Sequence, residues 1–131
     1  MAELIENINK VKTFHEVFKI SYHTEPTANI SEQDYMLRYN LMKEENEEYL
    51  DACKKGDLTE IADALGDKMY ILFGTIIKHG LHHKIEEVFN EIQRSNMSKL
   101  DEKGEPIYRE DGKILKSNLY FRPNIKSILE Q

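Results

Sequence analysis

An all-α fold, an antiparallel four-helix core followed by a β-hairpin and a short final helix, is what this 131-residue sequence predicts. Three observations carry the prediction. Apolar residues recur at three- and four-residue steps through the first 98 positions, the period of a helix with one buried face. Glycine and proline are few, six and three, and most of them stand where a helix should stop or a turn should form. Past Leu100 the helical period gives way to turn chemistry. The length suits one hydrophobic core, so the chain reads as a single domain, with 1–98 the helical core and 99–131 the hairpin and terminal helix.

Each element has its own signal. Leu4, Ile5, Ile8, Val11, Phe14, Val17 and Phe18 predict a first helix over about 2–21. Pro26 and Asn29 mark a loop. Ser31, with Asp34 three residues on, has the spacing of an N-cap and opens a second helix that ends near Gly56. Asp57-Leu-Thr-Glu60 is a capping-box-like start for a third helix running to Gly80. Its second half is apolar on most sides (Met69, Ile71, Leu72, Phe73, Ile76, Ile77), so it should be the central and most buried helix. Leu81, Ile85, Val88, Phe89 and Ile92 predict a fourth helix ending around 94–98. Ile107, Tyr108, Ile114 and Leu115 flank Arg109-Glu-Asp-Gly112 as a short hairpin, and Pro123 suits the first turn of a last helix over 123–130.

Composition narrows the function. Forty per cent hydrophobic residues in patterned runs exclude disorder along the whole chain. A net charge of −6 argues against a protein whose task is gripping phosphate backbones. The charge is uneven: residues 1–98 carry 11 bases and 18 acids, residues 99–131 seven and six. Cys53 is the single cysteine, so no intrachain disulfide forms and a reducing compartment is favoured. The start lacks a basic region and a long apolar run, so no signal peptide is expected. The most apolar stretch, nine residues from Met69 to Ile77, falls short of the ~20 that span a bilayer. A cytoplasmic protein is the expectation.

The acids are the feature that asks for chemistry. Glu44-Glu45-Asn46-Glu47-Glu48 lies on the second helix and Glu60-Ile61-Ala62-Asp63 on the third. Residues three and four apart share a helix face. A tight turn at Lys55–Asp57 makes the two helices antiparallel, which sets Glu48 beside Asp63, and Glu44 and Glu45 near Asp67. Two acidic faces then meet, and like charges so close repel strongly. Asp63 and Asp67 interrupt a helix expected to be buried, where an unpaired acid is expensive. A hard divalent cation held by oxygen ligands relieves both problems, and an all-carboxylate set suits Mg²⁺, with Mn²⁺ as the alternative. A di-iron bundle would need Glu-x-x-His, and no histidine here has a glutamate three residues before it. Zinc fits poorly, because Cys53 stands alone and His79, His82 and His83 sit at a helix junction, where surface or capping roles are expected.

These residues resemble a known group. Glu44-Glu45-Asn46-Glu47-Glu48 followed by Glu60-Ile61-Ala62-Asp63 is similar to the signature of the all-α nucleoside triphosphate pyrophosphohydrolases, the MazG-like and phosphoribosyl-ATP pyrophosphohydrolase-like superfamily. Arg38-Tyr-Asn-Leu41, Asn96-Met-Ser-Lys99, Phe14-His15-x-x-Phe18 and the Ser95–Tyr120 segment resemble a small single-domain branch of it. The eleven residues between Glu48 and Glu60 are at or below the short end of the usual gap, which shortens the hairpin and makes Glu60 the least secure member of the set.

The resemblance implies a hydrolase that cleaves the α–β phosphoanhydride, releasing nucleoside monophosphate and pyrophosphate. It implies that Glu45, Glu48, Glu60 and Asp63 bind Mg²⁺, that Glu44 orients or deprotonates the attacking water, and that the protein is a homodimer or homotetramer. Arg38, Asp67, Asn96, Lys99, Lys113 and Lys116 are the candidate substrate contacts, the three lysines supplying charge that the acidic body lacks. Phe14, Phe18, Tyr120 and Phe121 are candidates to stack on a base, although the helical spacing of Phe14 and Phe18 favours a place in the core. Phosphoribosyl-ATP suits the chain less well as substrate, since the tail extends beyond the compact bundle typical of that enzyme. Two other functions fit the sequence: a helical docking module that uses the acidic face without catalysis, and a phosphohydrolase releasing orthophosphate.

Overall fold

The computed structural model describes residues 3–131; Met1 and Ala2 lie outside the described residues, and with them the expected start of the first helix at residue 2. The order is α1 (Leu4–Val17), α2 (Glu32–Lys55), α3 (Leu58–Lys78), α4 (Ile85–Met97), β1 (Ile107–Tyr108), β2 (Ile114–Leu115) and α5 (Ile125–Leu129). The fold is therefore mostly helical with one small antiparallel hairpin. The described residues form two compact units, one ending at His83 and the other Lys84–Gln131.

The first unit is built on the α2–α3 hairpin. Ser31 Oγ accepts the Asp34 amide at 3.1 Å, and Asp57 Oδ1 accepts that of Glu60 at 3.2 Å, so each helix begins at the cap that its sequence carries. Gly56 ends α2 at φ 66°, a left-handed turn that reverses the chain within two residues. α3 packs against both α1 and α2, with Ile8 and Val11 of α1 and Ala64 and Ile77 of α3 buried. α3 is the central helix of this unit, as expected, but its apolar second half is buried only in part. Met69 and Leu72 are 54% and 45% exposed, on a part of α3 that α1 and α2 do not cover.

α1 ends at Val17 rather than 21. Lys19 adopts φ 59°, and the Ile20 amide folds back onto the His15 carbonyl at 2.8 Å, closing the helix without a glycine to announce it. The chain from 18 to 31 is then strapped to the end of α3. His23 Nδ1 meets the Lys78 carbonyl, and His79 Nδ1 the Thr27 carbonyl, each at 2.8 Å. Buried Lys78 donates to the Ser21 carbonyl and hydroxyl at 2.8 Å and pairs with Asp34 at 3.2 Å.

Two histidines outside this strap flank its Tyr22, their ring centroids 6.5 Å (His15) and 6.1 Å (His82) from that of the tyrosine. His15 and His82 are buried, and Nδ1 of each has no partner. Burial first, then the charges of Arg38 and Lys78, hold His15 below its ordinary 6.5. Burial, His83 and Lys12 act likewise on His82. A histidine with a depressed folded pKa contributes full stability above 6.5 and loses it as pH falls below that value, because only the unfolded chain takes the proton freely. Between about pH 7 and pH 5 this histidine term lowers the melting temperature while Glu45, raised to about 7, works in the opposite direction, so the term is read from a difference: the melting temperature of His15→Gln should rise relative to that of the native chain as pH falls through this window. A difference between the two melting temperatures that does not change with pH would contradict this assignment.

The second unit wraps the C-terminal segment on α4. Ser95 Oγ donates to the Phe121 carbonyl at 2.8 Å, the Phe121 amide donates to Ser98 Oγ at 3.1 Å, and Ser117 Oγ donates to the Ser98 carbonyl at 3.1 Å. Glu91 receives Arg94 and the Asn124 amide, while the Arg94 guanidinium lies 4.3 Å from the Phe121 ring centroid. The hairpin pairs Ile107 with Leu115 and Tyr108 with Ile114, its turn held by Arg109 on Asp111. α4 begins at Ile85, four residues after Leu81. α5 begins at Ile125, with Asn124 rather than Pro123 at its start, since the Asn124 side chain accepts the Ser127 amide at 3.2 Å.

Candidate functional site

The site grows from the antiparallel register of α2 and α3. Asn46 accepts Lys68 Nζ at 2.5 Å across the pair, and one residue earlier on each of the two helices stand Glu45 and Asp67. One carboxylate oxygen from each of Glu45, Glu48 and Asp67 lies within 4.8 Å of the other two. Glu45 is half-buried, and its Oε2 has neither solvent nor a hydrogen-bond partner. Burial, then Glu48, then the charges of Asp67 and Asp63 push the Glu45 carboxyl up to about 7. A carboxylate so raised is one that a cation would relieve.

Beside the three acids lies a cleft of about 260 Å³ lined by Glu48, Asp51, Lys55, Glu60, Asp63 and Ala64, so Glu48 belongs to both. Glu60 pairs with Lys55 at 3.5 Å, with both side chains at least half exposed. Asp63 and Asp67 are exposed, which removes the burial argument that first singled them out. The anomaly of a poorly solvated acid belongs to Glu45 instead. Glu44 is exposed, turned about 100° around α2 from Glu45.

The remaining sequence candidates are placed as follows. Arg38 is buried against α3, its Nε on Thr75 Oγ1 and its Nη2 on the Ile71 carbonyl. Asn96, Lys99, Lys113 and Lys116 belong to the second unit. Asn96 is exposed in the last turn of α4, Lys113 is exposed on the hairpin, and Lys116 Nζ sits 4.7 Å from the Tyr120 ring centroid. The expectation of a core place for Phe14 and Phe18 is corrected: they stack on each other at 4.3 Å on the surface of α1, 38% and 63% exposed. They sit at the end of α1, where the chain turns away and Tyr70 of α3 meets Phe14 edge-on at 5.6 Å, leaving both rings partly open to solvent. His82 is corrected too, from surface or cap to core. Cys53 is free and exposed. Asp51 and Lys55 are cleft residues that the acidic motif did not flag, though their i+3 and i+7 spacing from Glu48 would have found them.

A family model described as phosphoribosyl-ATP pyrophosphohydrolase matches residues 11–96, about two thirds of the chain. The chain belongs to this family. No curated protein matches it significantly. Members of the phosphoribosyl-ATP pyrophosphohydrolase group are nucleotide pyrophosphohydrolases that use divalent metals, and they fall in the MazG-like superfamily. The acids here fit such a metal in kind, being hard oxygen donors only, and in geometry, since Glu45, which carries an unpartnered buried oxygen, belongs to the close set. No helix among the described residues is long and apolar enough to cross a membrane.

Proposed function

We propose that this protein hydrolyses a ribo- or deoxyribonucleoside triphosphate at the α–β anhydride, releasing nucleoside monophosphate and pyrophosphate, in nucleotide-pool cleansing. The observation that carries this reading is the convergence of one oxygen from each of Glu45, Glu48 and Asp67 within 4.8 Å of one another, at a Glu45 carboxylate that also holds an unpartnered buried oxygen. Glu45, Glu48 and Asp67 would hold a Mg²⁺ or Mn²⁺ ion, with Asp63 and Glu60 adding oxygens along the cleft. A bound divalent ion supplies charge screening for the polyphosphate and lowers the pKa of the water that attacks phosphorus.

The protein's own contribution is placement. Glu48, shared by the three-acid set and the cleft, ties the metal to the phosphate path. Glu44, exposed beside Glu45, is the group left to orient the water and take its proton. Lys55 in the cleft offers a positive charge to the polyphosphate, and Asn96, Lys99, Lys113 and Lys116 are the further substrate contacts of this proposal, with residues 1–98 forming the four-helix core. A homodimer or homotetramer would cover the exposed Leu65, Met69 and Leu72.

Product analysis tests the reading. Incubated with Mg²⁺ and a panel of ribo- and deoxyribonucleoside triphosphates together with phosphoribosyl-ATP, the protein should yield monophosphate and pyrophosphate in equal amounts. Orthophosphate as the product would refute α–β cleavage. No turnover with Mg²⁺ or Mn²⁺ would leave the acidic face as a docking surface.

A further inference from the structure

Arg38 carries a full charge at 8% exposure, and among the described residues no carboxylate pairs with it. Its partners are neutral and all on α3. Nε donates to Thr75 Oγ1 at 3.1 Å and Nη2 to the Ile71 carbonyl at 2.8 Å, while Thr75 Oγ1 donates to that same carbonyl at 2.9 Å. The guanidinium lies where α3 has no side chain. A Cβ on Gly74 would stand 2.6 Å from Arg38 Nη2 and 3.0 Å from His15 Nε2.

A buried cation without a counter-ion is a poor way to fill space, because an apolar side chain of similar volume packs there at lower cost. What the guanidinium adds is direction: two hydrogen bonds of fixed geometry to two successive turns of α3. Their location gives them a use. Arg38 precedes Glu45 by seven residues, about two helical turns, so it shares that face of α2. Ile71 and Thr75 follow Asp67 by one and two turns. The same two helices are joined beyond the acids by the tight turn at Gly56, with Lys55 paired to Glu60. The mutually repelling acids thus lie between two clamps.

We propose that Arg38 is a positioning residue of the metal centre: it pins the rotation and register of α2 on α3, so that Glu45 and Glu48 face Asp67 at ligand spacing before any cation arrives. This role rests on the reading of those acids as a metal site, and it replaces the substrate contact expected of Arg38. Repulsion among the carboxylates would otherwise spread the helix pair and let each acid turn to water. The arginine holds the empty site in its binding shape.

The test is Mn²⁺ titration of the full chain, followed by electron paramagnetic resonance, on the native protein and five variants. Arg38→Met and Gly74→Ala remove the clamp in different ways, since the alanine keeps the arginine but occupies its seat. Both should weaken the Mn²⁺ Kd on the order of tenfold, as loss of a supporting partner does at metal sites. Thr75→Val, which takes one acceptor, should weaken it less, and Arg38→Lys should recover part of what Arg38→Met loses. Ile8→Val lowers the melting temperature through α1 packing alone and should bind as the native chain does. Equal Kd values in the native, Thr75→Val and Arg38→Lys proteins would overturn the proposal even if the stronger variants fail to fold. So would weakening in Ile8→Val matched to its loss of melting temperature. A raised KM for the triphosphate at unchanged Mn²⁺ Kd would also overturn it and return Arg38 to the substrate. A native chain that takes up no Mn²⁺ would instead refute the metal centre itself, a result separable from the others.

Discussion

Glu48→Gln should abolish hydrolysis, by at least on the order of a hundredfold, while leaving the metal-free protein as stable as the native chain or more so. The two effects have one cause. Glu48 is common to the three-acid set and to the cleft, so neutralising it removes an oxygen ligand from both. It also removes the neighbouring group that contributes most, after burial, to raising the Glu45 carboxyl to about 7. Less repulsion means that Glu45 ionises nearer its ordinary 4.5, and the cost of holding the acids together falls. Activity lost with melting temperature held or raised separates a chemical role from a folding one.

Stabilisation by added Mg²⁺, which follows from mass action on the folded state, should vanish in the same variant. Asp67→Asn should resemble Glu48→Gln. Glu60→Gln should cost far less, because Glu60 is engaged in an exposed pair with Lys55, and such pairs contribute about 0–1 kcal/mol. Equal losses in Glu60→Gln and Asp67→Asn would show that Glu60 moves into the site when the metal binds.

Gly80→Ala should be the most damaging single methyl group in the chain, lowering stability by about 3 kcal/mol, or roughly 10 °C in melting temperature for a domain of this size. Two independent penalties meet there. Gly80 has φ 67°, a conformation that costs a residue with a Cβ about 1–2 kcal/mol. A Cβ would also fall 2.0 Å from the Glu25 carbonyl oxygen, and that contact is with backbone, which cannot swing aside as a side chain can. The whole strap from 18 to 31 would have to lift off α3. Gly66→Ala is the control, since nothing stands within 4 Å of its Cβ and it sits inside a helix. There alanine should add up to about 1 kcal/mol through helix propensity. Thermal melts of the two variants should therefore move in opposite directions, and parallel shifts would contradict the packing described for Gly80.

The helix caps were legible because they are local. Ser31, Gly56, Asp57 and Gly80 act on backbone within a few residues of themselves, so their meaning survives without knowledge of the rest of the fold. The end of α1 was not legible, because Lys19 takes a left-handed turn that its residue type does not favour and that contacts beyond the helix must hold. The start of α5 at Ile125, with Asn124 as its cap, depends likewise on Glu91, 33 residues before that cap, which accepts the Asn124 amide.

The candidate site divides in the same way. Periodicity and the tight turn were enough to determine that acids on α2 would face acids on α3, because a hairpin of two helices has one antiparallel solution. Which acids meet was decided by rotation about each helix axis. That angle comes from side chains distant in sequence: Arg38 against Gly74 and Thr75, and Asn46 against Lys68. It brings Asp67 to ligand distance of Glu45 and Glu48 and leaves Glu60 with Lys55. Burial was decided at the same level. The sequence pattern assigned the unsolvated acids to Asp63 and Asp67, since an acid between apolar residues looks buried. Packing exposes Asp63 and hides an oxygen of Glu45 instead, because what is buried follows from which helix covers which face, and no single helix carries that information.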